Sequence, residues 1–315
     1  MKSLTAFFEG NKNVYLREIE LPDPQHDEIQ AKTIYNGICM AEIYKYNDVH
    51  FPEPMLPGHE GVGIVTKVGK DVTNVREGDL VTTTTWGEYV NMPQDKYIPL
   101  QPMSPEQMKK HLVEPLSCVV TAADQLHLYP GESVVLFGAG YMGLLLVQLL
   151  RHYPLRRLVV ADIKDENLIL AKEFGATEVI NSGTAEGIAR LEELERTEPF
   201  EVAYECSGAQ VPFSWCERLL DKTGRLGVYA WHHGERKFDG HIWHTRGLAL
   251  YNVSPWIVNK QKFLIPWYAA DRLMNSGMID QQKLITHEYK FEDLERAMLE
   301  STARKGNFIK SILTF

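Results

Sequence analysis

The sequence predicts an α/β protein in two parts, a mainly β part followed by a doubly wound parallel sheet. Three observations carry this. The chain has 315 residues, a length at which a single core usually gives way to two domains. Up to about residue 116, short apolar runs alternate with Gly, Pro and Asp punctuation, as in GVGIVTKVG, REGDLVTTTT and EYVNMPQDKYIPL, the mark of short strands and turns. From residue 115 onward, strand-like runs alternate with stretches of helical spacing, which implies right-handed crossovers and a parallel sheet.

The elements of the second part follow in order. SCVVTAADQLHL has helical spacing, and Pro130-Gly131-Glu132 is a turn. Strands are expected over 133–137, 157–161, 201–205 and 225–230, with helices over 141–151, 166–174 and 211–220. The strands VVLF and LVV are continuous apolar runs, as burial on both faces requires. Beyond about Trp256 the helical FEDLERAMLEST and the strand-like FIKSILTF are expected to pack back on the first part. The expected division is therefore 1–118 with 257–315 for the first domain and 119–256 for the second.

Composition excludes several classes. The formal charge of −9 is spread along the chain with no Lys/Arg cluster, so neither nucleic acid nor an anionic membrane is an expected partner. The longest apolar stretch, 143–150, contains Gln148 and is far short of a membrane span. MKSLTAFFEG lacks the long apolar segment of a signal peptide, which points to the cytosol. Cys39, Cys118, Cys206 and Cys216 are too few and scattered for a disulfide framework, so each is a buried thiol or a metal ligand.

Gly138-Ala139-Gly140-Tyr141-Met142-Gly143 fits G-x-G-x-x-G. The hexapeptide is weak evidence alone. Here it follows the strand SVVLF and opens a helix, so Gly138, Gly140 and Gly143 can make the tight turn, admit a pyrophosphate and pack helix on strand, with Tyr141 and Met142 in the first turn. The helix N-terminus favours that anion. Asp162 ends the next strand, near the offset of about 20 residues at which a carboxylate reaches the adenosine ribose. It repels a 2′-phosphate, which predicts NAD as cofactor, although Lys164 tempers that reading.

Cys39 in NGICMAEIYKY, His59 and Glu60 in PMLPGHEGVG, and Glu114 in LVEPLSC offer sulfur, nitrogen and carboxylate oxygen, the donors of a catalytic zinc site. Taken singly, Cys39 is more often a buried thiol, His59 a turn histidine and Glu114 a solvated or helix N-terminal carboxylate.

Together with GIC near residue 38, these segments form an ordered set: GHEGVGIVTKVG at 58–69, GDLV at 78–81, GEYV at 87–90, EPLSC at Glu114, the glycine turn, AKEFGATEVI at 171–180 and the closing GNFIK. In that set the chain resembles the medium-chain dehydrogenase/reductase superfamily and its zinc-dependent alcohol and sorbitol dehydrogenase branch. The resemblance covers nearly the whole chain. It implies a GroES-like catalytic domain for the first part and a Rossmann domain for the second. It also implies one catalytic zinc at Cys39, His59, Glu60 and Glu114, and places Cys206 and His232 with the cofactor. Three departures stand out. Only 80–86 lie between the GD turn and GEYV, with no cysteine, so no structural zinc is expected. Ala41 stands where the family usually has a proton-relaying Ser or Thr. Met40, Glu42 and Tyr44 replace Gly, Asp and often His; Glu42 can still orient His59, and Tyr44 or a metal-bound water can move the proton, so Glu60, Glu42 and Tyr44 are the catalytic candidates.

The expected reaction is hydride transfer between NAD and a secondary alcohol of a polyol, sugar or cyclitol, with zinc acidifying the hydroxyl. YAWHHGERKFDGHIWHTRG, with His232, His233, His241, Trp243 and His244, reads as a polar, aromatic wall for a hydroxyl-rich ligand, and resembles a sorbitol-like subgroup with a comparable pattern. Any single one of these histidines is more often solvent-facing. Two rivals are carried: a zinc-free NAD(P)H-dependent quinone or alkene reductase, and a nucleotide-binding protein without turnover, which Ala41 makes worth weighing. The resemblance implies a homodimer or homotetramer, with GLALYNV as an edge strand able to pair across a two-fold axis.

Overall fold

A computed structural model describes residues 1–48, 53–253 and 263–315. The chain divides into two units, Met1–Pro115 with Lys260–Phe315, and Leu116–Asn259. The expected boundary at 256 and 257 lies outside the described residues. Among the described residues no helix is long and apolar enough to cross a membrane.

The first unit opens with β1 (Lys2–Gly10) and β2 (Asn13–Glu20), an antiparallel pair. Asn11 and Lys12, at φ 50° and 63°, give the left-handed two-residue turn whose twist suits a hairpin. β3 (Glu28–Gly37) is long and largely buried, and it is the strand on which the main sheet is built. α1 (Met40–Asp48) follows it. β4 (Gly61–Val68) pairs antiparallel with β3, β5 (Leu80–Thr83) with β4, β6 (Tyr89–Pro93) with β3, and the two-residue β7 (Pro99–Leu100) with β5. α2 (Pro105–Lys109) starts with a capping box in which Ser104 and Gln107 satisfy each other's amides. α3 (Val113–Gln125) carries Glu114 in its first turn.

In the second unit β8 (Ser133–Phe137) is buried along its whole length. α4 (Tyr141–Leu150), β9 (Arg157–Asp162), α5 (Asp165–Glu173), β10 (Glu178–Asn181), α6 (Ala185–Thr197), β11 (Phe200–Glu205), α7 (Gln210–Leu219), β12 (Leu220–Val228), α8 (Gly240–Arg246) and β13 (Ala249–Asn252) complete it. All six strands are parallel in the order β10-β9-β8-β11-β12-β13. Counted along the chain this is 3-2-1-4-5-6, the doubly wound dinucleotide-binding order with its topological switch between β8 and β11. Val135, Phe137, Val159, Ala161 and Ala203 from three strands join Phe213, Cys216 and Leu219 of α7 in one core.

The alternation of elements agrees with the sequence pattern, with three differences. β10 and α6 are additional. β12 stops at Val228, not 230, because the amides of Tyr229 and Ala230 turn onto the Glu205 carbonyl at 2.9 Å each. The segment after β12 is a loop and α8, and GLALYNV contains the edge strand β13, whose residues alternate between half-buried and exposed.

The chain then returns to the first unit with α9 (Ile265–Asn275), β14 (Ile285–Lys290), α10 (Leu294–Ala303) and β15 (Lys310–Thr314). β15 lies antiparallel to β3, Ile312 opposite Gly37, and carries β14 parallel on its other edge. The sheet therefore runs β14-β15-β3-β4-β5-β7. The end of β3 and the starts of β4 and β15 meet, and that is where the polar side chains of this unit collect.

Candidate functional site

Three glycines make room for the polar cluster of the first unit. Gly58 has φ +103°, and a Cβ there would lie 2.5 Å from the buried Trp86 ring, so the turn before His59 is restricted to glycine by both conformation and space. A Cβ on Gly37 would sit 1.9 Å from Glu60 Oε2, and one on Gly61 2.0 Å from Thr83 Oγ1. The Glu60 amide donates to Asn36 Oδ1 at 3.1 Å, and its carbonyl accepts from the Gly37 amide at 3.2 Å. The register of β3 against β4 thus fixes where Glu60 points.

Cys39 stands between β3 and α1, and Glu42 Oε2 reaches back to accept from its amide at 3.2 Å. The other oxygen of Glu42 accepts from the Gly58 amide at 3.4 Å and lies 3.0 Å from His59 Nδ1. His59 Nε2 faces Glu114 Oε2 at 3.9 Å. Glu60 Oε2 makes an ion pair with Lys310 Nζ at 2.5 Å, and that ammonium also donates to the Ile38 carbonyl at 3.0 Å. Cys39, Glu42 and His59 can bring donor atoms within 4.8 Å of one another, as can His59, Glu60 and Glu114. The four residues expected to hold metal are thus spread over two overlapping groups that share His59. Tyr44 lies further along α1, half-buried, and Ala41 brings no hydroxyl to the site.

The charges explain one another. Burial pushes the Cys39 thiol up, the charge of Glu60 adds to this, and His59 opposes it. Burial alone would lower His59, but Glu42 and Glu114 outweigh it and hold the imidazole well above its ordinary range. Burial raises the Glu42 carboxyl, and His59 more than reverses that, leaving it below its ordinary value. Lys310, disfavoured by burial, is held above its usual value by Glu60. Three buried carboxyl groups thus face one imidazole and one ammonium. A thiol, an imidazole and carboxylates in mutual reach form a donor set that fits zinc, and a divalent cation would replace the protons of Cys39 and His59 as the balancing charge. Lys310 is the member of this cluster that sequence reasoning missed; its signal was a lysine inside the otherwise apolar FIKSILTF.

The residues expected to bind the cofactor are assembled at the carboxyl ends of the second unit's strands. Gly138 has φ +100°, and a Cβ on it would lie 2.8 Å from the Ser207 amide nitrogen. A Cβ on Gly143 would be 1.9 Å from the Gly138 carbonyl oxygen. Gly140 is the N-cap of α4 and gives its first turn, with Tyr141 and Met142, no side-chain cap, which suits an anion bound there. Asp162 Oδ2 accepts from the Ala139 amide at 2.6 Å and Oδ1 from the Lys164 amide at 2.9 Å. Each oxygen retains a second lone pair, so the carboxylate can close the glycine turn and still accept from a ribose hydroxyl. This cradle fits a dinucleotide.

Cys206 is half-buried; burial first, and Glu205 next, push its thiol well up, so it is a poor nucleophile. His232 has both ring nitrogens engaged, Nε2 with Glu205 at 2.5 Å and Nδ1 with Arg236 Nε at 2.6 Å. Trp243 Nε1 donates to Glu217 Oε2 at 2.8 Å, and its ring packs on the unit's core. Of the expected polar wall, His233, His241 and His244 remain exposed.

A dinucleotide sheet and a buried thiol, imidazole and carboxylate cluster on one chain define an oxidoreductase of the dehydrogenase class. Residues 142–255 match the family model described as zinc-binding dehydrogenase, and residues 25–102 the one described as alcohol dehydrogenase GroES-like domain. The chain belongs to the zinc-dependent medium-chain dehydrogenase/reductase superfamily. It is 24% identical over 351 aligned positions to the uncharacterized zinc-type alcohol dehydrogenase-like protein YdjJ of Escherichia coli, covering 99% of both chains. It is 25% identical to L-threonine 3-dehydrogenase of Edwardsiella ictaluri, covering 100% of each. The solved structure of L-idonate 5-dehydrogenase from Escherichia coli has the same fold, with a TM-score of 0.85, 20% identity and coverage of 100% of this chain and 99% of the other.

Proposed function

We propose that this protein uses one zinc ion and NAD to interconvert a secondary alcohol of a polyol, sugar or cyclitol with the corresponding ketone. The observation that carries the metal half is the His59 geometry. Glu42 occupies Nδ1 and leaves Nε2 toward Glu114, with Cys39 bonded to the same imidazole, so a protein carboxylate orients the metal-facing nitrogen. Cys39, His59 and Glu60 would hold the ion, with Glu114 in reach of His59 and Glu60 and with Glu60 restrained by Lys310. Bound there, zinc supplies Lewis acidity that lowers the pKa of an alcohol hydroxyl. Cys39 and Glu42 fix the approach to His59 through the first turn of α1. Because Ala41 carries no hydroxyl, proton removal falls to Tyr44 or to water. The two units act as the GroES-like catalytic domain and the Rossmann domain.

NAD is the cofactor on this reading because Asp162, at the end of β9, presents a carboxylate where NADP would carry a phosphate. Its bond to the Ala139 amide ties that charge to the glycine turn. The substrate class rests on the polar and aromatic side chains of the segment after β12, His232, His233, His241, Trp243 and His244. A homodimer or homotetramer paired along β13, in the cytoplasm, completes the reading.

The test is a panel of polyols, sugars and cyclitols with NAD or NADP, followed by NADH or NADPH formation with and without a chelator, alongside metal analysis. The panel includes L-threonine and primary alcohols. Chelator-sensitive NADH formation with a polyol or sugar is the expected outcome. Activity confined to L-threonine or primary alcohols would refute the substrate class. NADH binding with no turnover on any alcohol would favour a nucleotide-binding protein without catalysis.

A further inference from the structure

Glu205, His232 and Arg236 form a closed set of side chains that the reaction as described does not use. Glu205 is the last residue of β11 and is wholly buried. Its Oε1 accepts from the amides of Ser207 and Gly208 at 2.8 and 3.0 Å and from the Ser207 hydroxyl, while Oε2 faces His232 Nε2 at 2.5 Å. Arg236 donates from Nε to His232 Nδ1 at 2.6 Å and from Nη2 to the Gly208 carbonyl at 2.7 Å. It also donates from Nη1 to the Glu235 carbonyl at 2.8 Å.

An arginine Nε can only donate, so His232 Nδ1 must accept and the ring proton must sit on Nε2, directed at Glu205. The polarity of the whole set is fixed from Arg236 through His232 to Glu205. Gly208, at φ +76°, turns its amide to Glu205 and its carbonyl to Arg236, so the two ends of the set grip opposite faces of one peptide turn. Phe213 meets the His232 ring edge-on at 6.1 Å between centroids.

The position of this set gives it meaning. It joins the turn 206–208 after β11 to the loop after β12, both at the carboxyl ends of the parallel strands, and the turn presses on Gly138. In this topology a dinucleotide lies across the switch point, its pyrophosphate on α4 and its adenosine half toward Asp162. The half that remains, the nicotinamide riboside, must then lie over the ends of β11 and β12. Glu205 would keep its amide and hydroxyl donors without His232 and Arg236, so burial of the carboxylate does not by itself demand them.

We propose that His232 and Arg236 are positioning residues: they lock the turn 206–208 and the loop after β12 into the surface that receives the nicotinamide riboside half of the cofactor. This rests on the second unit's binding a nicotinamide dinucleotide. Neither side chain contacts the reacting atoms; they act through the backbone of 206–208.

The test compares the unaltered protein with Arg236→Met, His232→Leu and His232→Gln. Gln can donate to Glu205 and accept from Arg236 as the imidazole does. Dissociation constants are measured for NADH, by energy transfer from tryptophan, and for ADP, which lacks the nicotinamide riboside, by calorimetry. Arg236→Met and His232→Leu should weaken NADH about tenfold, the loss of one good hydrogen bond's worth of ordering. ADP should stay within about twofold, and His232→Gln should recover most of the NADH affinity. Equal weakening of both ligands, no change in either, or a Gln variant as poor as Leu would overturn the proposal. If His232→Leu does not fold, Arg236→Met, at a half-buried position, decides alone. Failure of the unaltered protein to bind either ligand would instead refute the dinucleotide reading on which the proposal rests.

Discussion

Replacing Lys310 with methionine isolates the energetics of the polar cluster. Both partners of the Lys310–Glu60 pair are enclosed, with side-chain exposures of 5% and 1% at 2.5 Å separation, so solvent screening does not soften the loss. Methionine keeps most of the buried stem and creates little cavity, but it leaves the Glu60 carboxylate without its counter-ion and the Ile38 carbonyl without its donor. Removing one member of a buried pair costs about 3–5 kcal/mol. For a domain of ~150–250 residues, 1 kcal/mol shifts Tm by roughly 2–4 °C, so the transition should fall by about 10 °C. The assay is scanning calorimetry of metal-stripped protein, which keeps any ligation by Glu60 out of the comparison. A second substitution, Glu60→Gln, removes the orphaned charge, so the double variant should be more stable than Lys310→Met alone. A Tm within about 3 °C of the parent, or a double variant less stable than the single, would refute the reasoning.

Three further outcomes are expected. Zinc affinity, measured by chelator competition, should fall as pH falls: the Cys39 thiol and the His59 imidazole are both raised above their ordinary values, so both hold protons that zinc must release on binding. A pH-independent affinity would contradict this ligand set. Gly37→Ala should weaken zinc binding and lower stability by about 1–3 kcal/mol, since its Cβ would meet Glu60 Oε2 at 1.9 Å; unchanged metal content and melting would refute it. Asp162→Ser should narrow the preference for NAD over NADP at least tenfold, read as the ratio of kcat/KM values, and an unchanged ratio would place cofactor selection elsewhere.

The second unit was legible because its signals are local. SVVLF, the glycine turn and Asp162 each announce themselves within a few residues. β10 was harder: four residues, mostly half-buried, leave no periodicity to read. α6 has its signal in the Thr184 cap and in Leu191 and Leu194, but Gly187 and a mostly charged face dilute it. Cys39 and His59 could be singled out by donor type, and Glu42 by its reach to His59, a short chain distance away. Lys310 could not be paired with Glu60, because only the antiparallel register of β15 on β3 brings residues so remote in sequence together. For the same reason His232 could be placed with the cofactor but not given its partners. Composition reports that a histidine is present; the fold determines which of its nitrogens has anything left to offer.

Glu60, Cys39 and Lys310 hang from three neighbouring strands, with β3 in the middle and β15 hydrogen-bonded along one side. On the proposed reading, retention of the ion and integrity of that seam are therefore one equilibrium read in two ways. Any fluctuation that peels β15 from β3 carries the ammonium away from Glu60 and opens the cage. The rate at which a chelator extracts zinc should then track amide hydrogen exchange of Leu313 and Phe315, whose amides face β3, so that a bound metal becomes a clock for the breathing of the sheet.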